Sequence, residues 1–180
     1  MTARLIRRLR RRMAAVAPDD GSMLIETLIA VGILLVVMAG VMSIGAVAMT
    51  TTENQGHLAA RTTEYAQDKM EQLLTLAYGD TTSDTRVFPA SLAGGTGLAV
   101  GGNSTPTAAV NGYVDYLDVN GTLLASGGAA PADWYYIRVW QISIPSANLK
   151  QVTVTATVRW GFGKAIAPIS TVTALKTFPF

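Results

Sequence analysis

Between Thr27 and Met49 the chain runs TLIAVGILLVVMAGVMSIGAVAM, 23 residues without a charge or a proline. At a rise of 1.5 Å per residue, about 20 apolar residues in an α-helix cross the hydrocarbon of a bilayer. The run is longer than the apolar part of a cleaved signal peptide, which is about 7–15 residues. A helix that is apolar on every side needs either lipid or a large protein around it. With 180 residues in all, the chain can form one modest domain and an appendage, too little to enclose such a helix. The sequence therefore predicts a membrane-spanning helix.

Charge sets its direction. Six arginines (Arg4, Arg7, Arg8, Arg10, Arg11 and Arg12) lie in the first twelve residues. Beyond the apolar run, Glu53 comes first and Arg61 later. Positive flanks stay in the cytoplasm, so the C-terminal part is expected to be exported. The same arginines explain the pI near 9.0. Setting aside those six and the acids Asp19 and Asp20, from 14 basic and 12 acidic residues, leaves eight basic and ten acidic. No clustered basic face remains, and nucleic acid is not an expected partner. Apolar residues make up 49% and charged ones 14%, against about 25% charged in soluble domains. Cysteine is absent, which excludes disulfides, thiolate metal sites and a cysteine nucleophile.

The junction between the basic leader and the apolar run reads Asp19-Asp20-Gly21-Ser22-Met23-Leu24-Ile25-Glu26-Thr27-Leu28. A glutamate one turn into an uncharged membrane helix costs up to about 2.5–3.5 kcal/mol when deeply placed, so it calls for a partner or a place near the interface. Here the sequence resembles the type IV prepilins, including the type II secretion pseudopilins. Their leader is basic and ends in glycine; a small or apolar residue, a short apolar stretch, a glutamate and a long apolar helix follow. Met-Leu-Ile-Glu is close to that family's Thr-Leu-Ile-Glu. Two departures are the acidic Asp19-Asp20 before the glycine and Ser22 where phenylalanine is common. The match covers residues 21 to about 75.

The resemblance implies a pilin-like α+β fold: a basic leader over 1–21, a long helix over 22–78 and a β-rich head over 79–180. The helix would be transmembrane over about 24–49 and amphipathic over 50–78. It implies processing after Gly21 by a prepilin peptidase, a mature start at Ser22, and Glu26 as the assembly residue, neutralised by the Ser22 amine of a neighbouring chain. The implied partners are the peptidase, other pilin or pseudopilin subunits through the N-terminal helix, an inner-membrane assembly platform and membrane lipid. The implied place is the bacterial inner membrane, crossed once with the head exported, and then a periplasmic or cell-surface filament. The other reading is a permanently anchored binding or adhesin head that never joins a fibre.

Past Met49 the helical pattern continues. Leu58, Thr62, Tyr65, Ala66, Lys69, Met70, Leu73, Leu74 and Ala77 recur at spacings of three and four, an amphipathic stripe. Glu64, Asp68, Glu71 and Gln72 are expected on the other side, and Gly79 to end the helix. Asn120-Gly121 is expected to turn a tight hairpin between strands over Tyr113–Val119 and Thr122–Ala125. Alternation from Trp134 to Ile144 and from Val152 to Trp160 predicts two strands, with Ile169 to Phe178 a third. The apolar face of this sheet is expected to cover the Tyr65–Leu74 stripe. The segments Tyr-Tyr-Ile-Arg-Val-Trp and Val-Thr-Val-Thr-Ala-Thr-Val-Arg-Trp also look loosely like those of type IV pilus modification proteins.

Little in the head suggests catalysis. His57 is the single histidine, so neither a histidine-based metal site nor a charge-relay triad can form. Asp115, Asp118 and Asp133 are expected to be solvated loop acids, and Trp134, Tyr135, Tyr136, Trp140 and Trp160 to pack a core. No enzyme activity, metal or cofactor is expected.

Overall fold

The computed structural model describes residues 20–87, 89–159 and 167–178. The expected leader up to Asp19, and Trp160, lie outside them. Helix α1 spans Asp20–Thr75, 56 residues. The chain divides into two units, residues 1–52 and 53–180. The first contains the apolar part of α1, and the second the rest of α1 and a β-sheet.

Among the described residues of the second unit, six strands form one antiparallel sheet: β1 (Gly101–Gly102), β2 (Val114–Leu117), β3 (Leu123–Ser126), β4 (Tyr136–Ser146), β5 (Leu149–Val158) and β6 (Ile169–Thr177). Their order is β3-β2-β4-β5-β6, with β1 paired to β4. The long β4–β5 hairpin sets Trp140 opposite Val154 and Ile142 opposite Val152. This register puts the apolar set of both strands on one face, as the period of two requires. Tyr136, Trp140, Ile142, Val152, Val154, Ala156 and Val158 form one buried cluster with Tyr65, Ala66, Met70 and Leu73 of α1. The expected docking of stripe on sheet is thus present. The opposite face of β5 carries Thr153, Thr155 and Thr157, whereas β4 is apolar on both sides. Its Ile137 and Val139 bury against Val114 and Tyr116, with Ala125 and Trp134 packed alongside.

Strand β6 lies along the C-terminal part of α1. Ser170 Oγ is 2.8 Å from Thr62 Oγ1 and 2.9 Å from Thr63 Oγ1. Further on, Lys176 Nζ donates to the Leu74 carbonyl at 2.6 Å. The last turn of α1 has no basic residue of its own, and Lys176 supplies the cation favoured at a helix C-terminus. Lys150 Nζ donates to the Tyr78 and Leu98 carbonyls at 2.7 and 2.8 Å. The helix stops at Thr75, short of the expected Tyr78. Leu76 N–H turns back to the Leu73 carbonyl at 3.3 Å and Asp80 N–H to that of Ala77 at 3.0 Å. Lys176 thus satisfies the Leu74 carbonyl, which a further helical turn would have used, and Lys150 ties the chain beyond the helix to the sheet.

The β2–β3 hairpin forms where expected but through a longer loop. Asp118 N–H donates to the Thr122 carbonyl at 2.9 Å, and Asp118 Oδ1 accepts the N–H groups of Asn120 and Thr122, both at 2.8 Å. A register shift between Tyr116 and Leu117 absorbs the extra residue. An aspartate at the loop's first position, bonding backbone two residues on, favours this Asx-type loop over a two-residue turn.

Candidate functional site: an apolar helix surface with one acid

Gly21 and Ser22 fall in the first turn of α1. Glu26 is one turn further and exposed. From Met23 to Thr52 it is the sole ionisable residue. Around and beyond it the large apolar side chains stand open, from Met23 at 68% exposure to Met49 at 76%. Among the described residues, the most apolar 18-residue stretch has a mean hydropathy of 2.6, and none of it is buried. The helix is thus long and apolar enough to cross a membrane.

Its few hydroxyls suit such surroundings. Thr27 Oγ1 donates to the Leu24 carbonyl at 2.9 Å, Ser43 Oγ to that of Gly40 at 2.8 Å and Thr50 Oγ1 to that of Val47 at 3.0 Å. Each hydroxyl proton is spent within the helix, where lipid offers no acceptor. A methyl group added at Gly32, Gly40 or Gly45 would meet nothing within 4 Å. Among the described residues, these glycines serve no packing need.

The sheet and the helix stripe enclose a group of charges, Lys69, Asp115 and Arg138. Asp115, anticipated as a solvated acid, is fully buried on β2. Its Oδ2 lies 2.9 Å from Lys69 Nζ and 2.8 Å from Arg138 Nε, and its Oδ1 accepts from Ser126 Oγ at 2.6 Å. Arg138 also reaches Asp68 at 2.8 Å, so Asp68 sits at the rim of the interface rather than on its far side. Lys69 donates to Thr85 Oγ1 at 2.7 Å and stands 4.2 Å over the Trp140 ring. Burial pushes the Asp115 carboxyl up, but the adjacent Lys69 and Arg138 and the Ser126 hydrogen bond outweigh it and hold the group below its ordinary value. Burial pushes Lys69 down. With every member bonded, the cluster locks α1 to β2, β3 and β4. The sequence did contain a signal: Lys69 lies inside an apolar stripe, and a buried cation demands a counter-charge.

Asp133 is exposed, as expected, and Asp118 serves the hairpin loop. Among the aromatics, Tyr136 and Trp140 are buried while Trp134 and Tyr135 are half-buried. Trp140 faces α1, whereas Trp134 packs edge-on against Tyr116 with ring centres 5.8 Å apart, so they build two different layers. His57 is exposed. Among the described residues no group of three or more His, Cys, Asp or Glu is placed to hold a metal ion. Comparison with protein-family models, curated proteins and solved structures finds no match to this chain.

Proposed function

We propose that this chain is a structural subunit, a minor pilin or pseudopilin, of a type IV pilus or type II secretion-like filament. In this reading residues 1–21 are a leader and a prepilin peptidase cuts after Gly21. The new Ser22 amine and Glu26 then lie four residues apart on an apolar helix. The observation that carries the reading is Glu26 itself, the one ionisable residue from Met23 to Thr52 on an otherwise apolar, uncovered surface. A lone carboxylate there is costly in lipid or in a helical bundle unless a cation meets it, and cleavage creates that cation. The amine of one chain would neutralise Glu26 of the next and fix their stagger. The helix would be held by lipid before assembly and by other subunits afterwards, with an inner-membrane platform moving it between the two. The head faces outward and is held by packing and the Lys69–Asp115–Arg138 cluster, without disulfides.

N-terminal sequencing and intact mass of the membrane-extracted chain test this. The expected mature start is Ser22, and Gly21→Leu should retain the leader, because a bulky side chain next to the scissile bond blocks the peptidase. An intact leader in the unaltered chain would favour the permanently anchored binding head. Normal cleavage of Gly21→Leu would remove Gly21 from the processing site.

A further inference from the structure

Asp118-Val119-Asn120-Gly121-Thr122 contains asparagine, a residue other than proline, then threonine, the acceptor pattern for asparagine-linked glycosylation. Asn103-Ser104-Thr105 is the other occurrence. Such tripeptides are common, and the fold separates these two. Asn120 is exposed at the tip of the loop joining β2 to β3. Asp118 shapes that tip by accepting the backbone N–H groups of Asn120 and Thr122. Gly121 has φ +88°, and a Cβ there would come 2.5 Å from the Tyr65 hydroxyl. The residue between acceptor and threonine must therefore be glycine for the loop to close against the helix. Val119 beside it is 60% exposed, an apolar tip that a hydrophilic chain would shield. Asn103, by contrast, is half-buried next to β1, and its Oδ1 already accepts the Thr105 N–H at 2.8 Å.

We propose that Asn120 is an acceptor for an asparagine-linked glycan, transferred from a lipid pyrophosphate-linked oligosaccharide on the exported side of the membrane. The site rests on the export of the head in the reading above, and not on filament assembly. In the transfer, Asn120 Nδ2 forms a bond to the anomeric carbon of the first sugar. The bond from that carbon to the pyrophosphate oxygen breaks, and the lipid pyrophosphate leaves with its electron pair. One amide proton passes to a base of the transferase, and nothing is oxidised or reduced. The Thr122 hydroxyl is the group by which a transferase recognises the acceptor, so serine can replace it and alanine cannot. Asn120 is exposed and belongs to neither buried cluster, so a bulky, hydrophilic glycan there displaces no core residue.

The test expresses the full chain in a bacterium that carries an asparagine oligosaccharyltransferase and a lipid pyrophosphate-linked heptasaccharide. A donor-free strain is the control. The expected result is an intact mass raised by one heptasaccharide, lost in Asn120→Gln and Thr122→Ala, kept in Thr122→Ser and unchanged in Asn103→Gln. Protease added from the periplasmic side reports where the head is. A head that is digested yet carries no heptasaccharide, or carries it on Asn103, overturns the site. A head protected from the protease overturns the export reading, and the site with it.

Discussion

Lys69 Nζ on α1 and Asp115 Oδ2 on β2 lie 2.9 Å apart, and neither side chain has any exposure to solvent. The pair joins two elements whose residues stand 46 positions apart in the sequence, and Arg138 closes the arrangement from β4. Removing one partner of a buried ion pair strands the other and costs about 3–5 kcal/mol, more than the pair itself contributes. Asp115→Ala would leave the buried Lys69 without a carboxylate beside Arg138, which keeps only the half-exposed Asp68, whereas Lys69→Met leaves Asp115 still paired with Arg138. Urea unfolding should therefore rank Asp115→Ala as the more destabilised. The reverse order would mean that Lys69, not Asp115, is the centre of the cluster.

The same carboxylate makes the head acid-sensitive. A carboxyl whose folded pKa lies below its unfolded value, about 3.9 for aspartate, stabilises the fold above that value. The contribution is lost as pH falls through the folded pKa. Asp115 is such a group. So is Asp84, held down by the Arg86 guanidinium. Stability in urea should be level from about pH 5 to 7 and fall below about pH 4. Asp115→Asn should start lower and lose less stability over the acid range. Equal acid slopes in the two proteins would show that Asp115 titrates alike in the folded and unfolded states.

Docking of α1 on the sheet can be read directly. A chain beginning at Leu58 retains Tyr65, Ala66, Met70 and Leu73, all buried against the sheet, and is expected to fold in solution. A chain beginning at Asp80 loses them together with Lys69, and should aggregate or unfold at much lower urea. Leu73, 1% exposed, should cost about 2–5 kcal/mol as alanine. Equal urea midpoints for the two chains would dismiss the helix as a structural part of the head.

Glu26 should matter at assembly and not before. Glu26→Ala and Glu26→Gln remove the charge that would meet a neighbour's Ser22 amine, leaving that amine unpaired in surroundings of low dielectric. Cleavage and abundance in the membrane are expected to stay normal while incorporation into sheared filaments falls by at least about tenfold, the effect of 1.4 kcal/mol. Filaments containing both variants at the normal level would reduce Glu26 to a marker of the bilayer edge.

Much of this molecule was legible in one dimension. An uncharged run of 23 residues can only be a helix that lipid or protein must cover, and strict alternation from Val152 to Val158 can only be a strand with one apolar face. Both properties are local, because they depend on rise and period alone. The Tyr65–Leu74 stripe was readable for the same reason, as was its need for an apolar partner surface. The point where α1 stops was not, because Lys176 arrives from a strand remote in sequence to take the Leu74 carbonyl, and Lys150 holds the chain just past the helix at Tyr78. Nor was the hairpin's longer loop, since the register shift at Tyr116 and Leu117 is a property of the paired strands. Asp115 shows the difference most sharply. As a residue near Asp118 and an Asn-Gly turn it resembles any loop acid. It becomes the buried centre of the head because the β2–β4 register sets it opposite Arg138 and helix packing brings Lys69 onto it. Charge burial depends on which groups meet in space, and only the tertiary structure decides that.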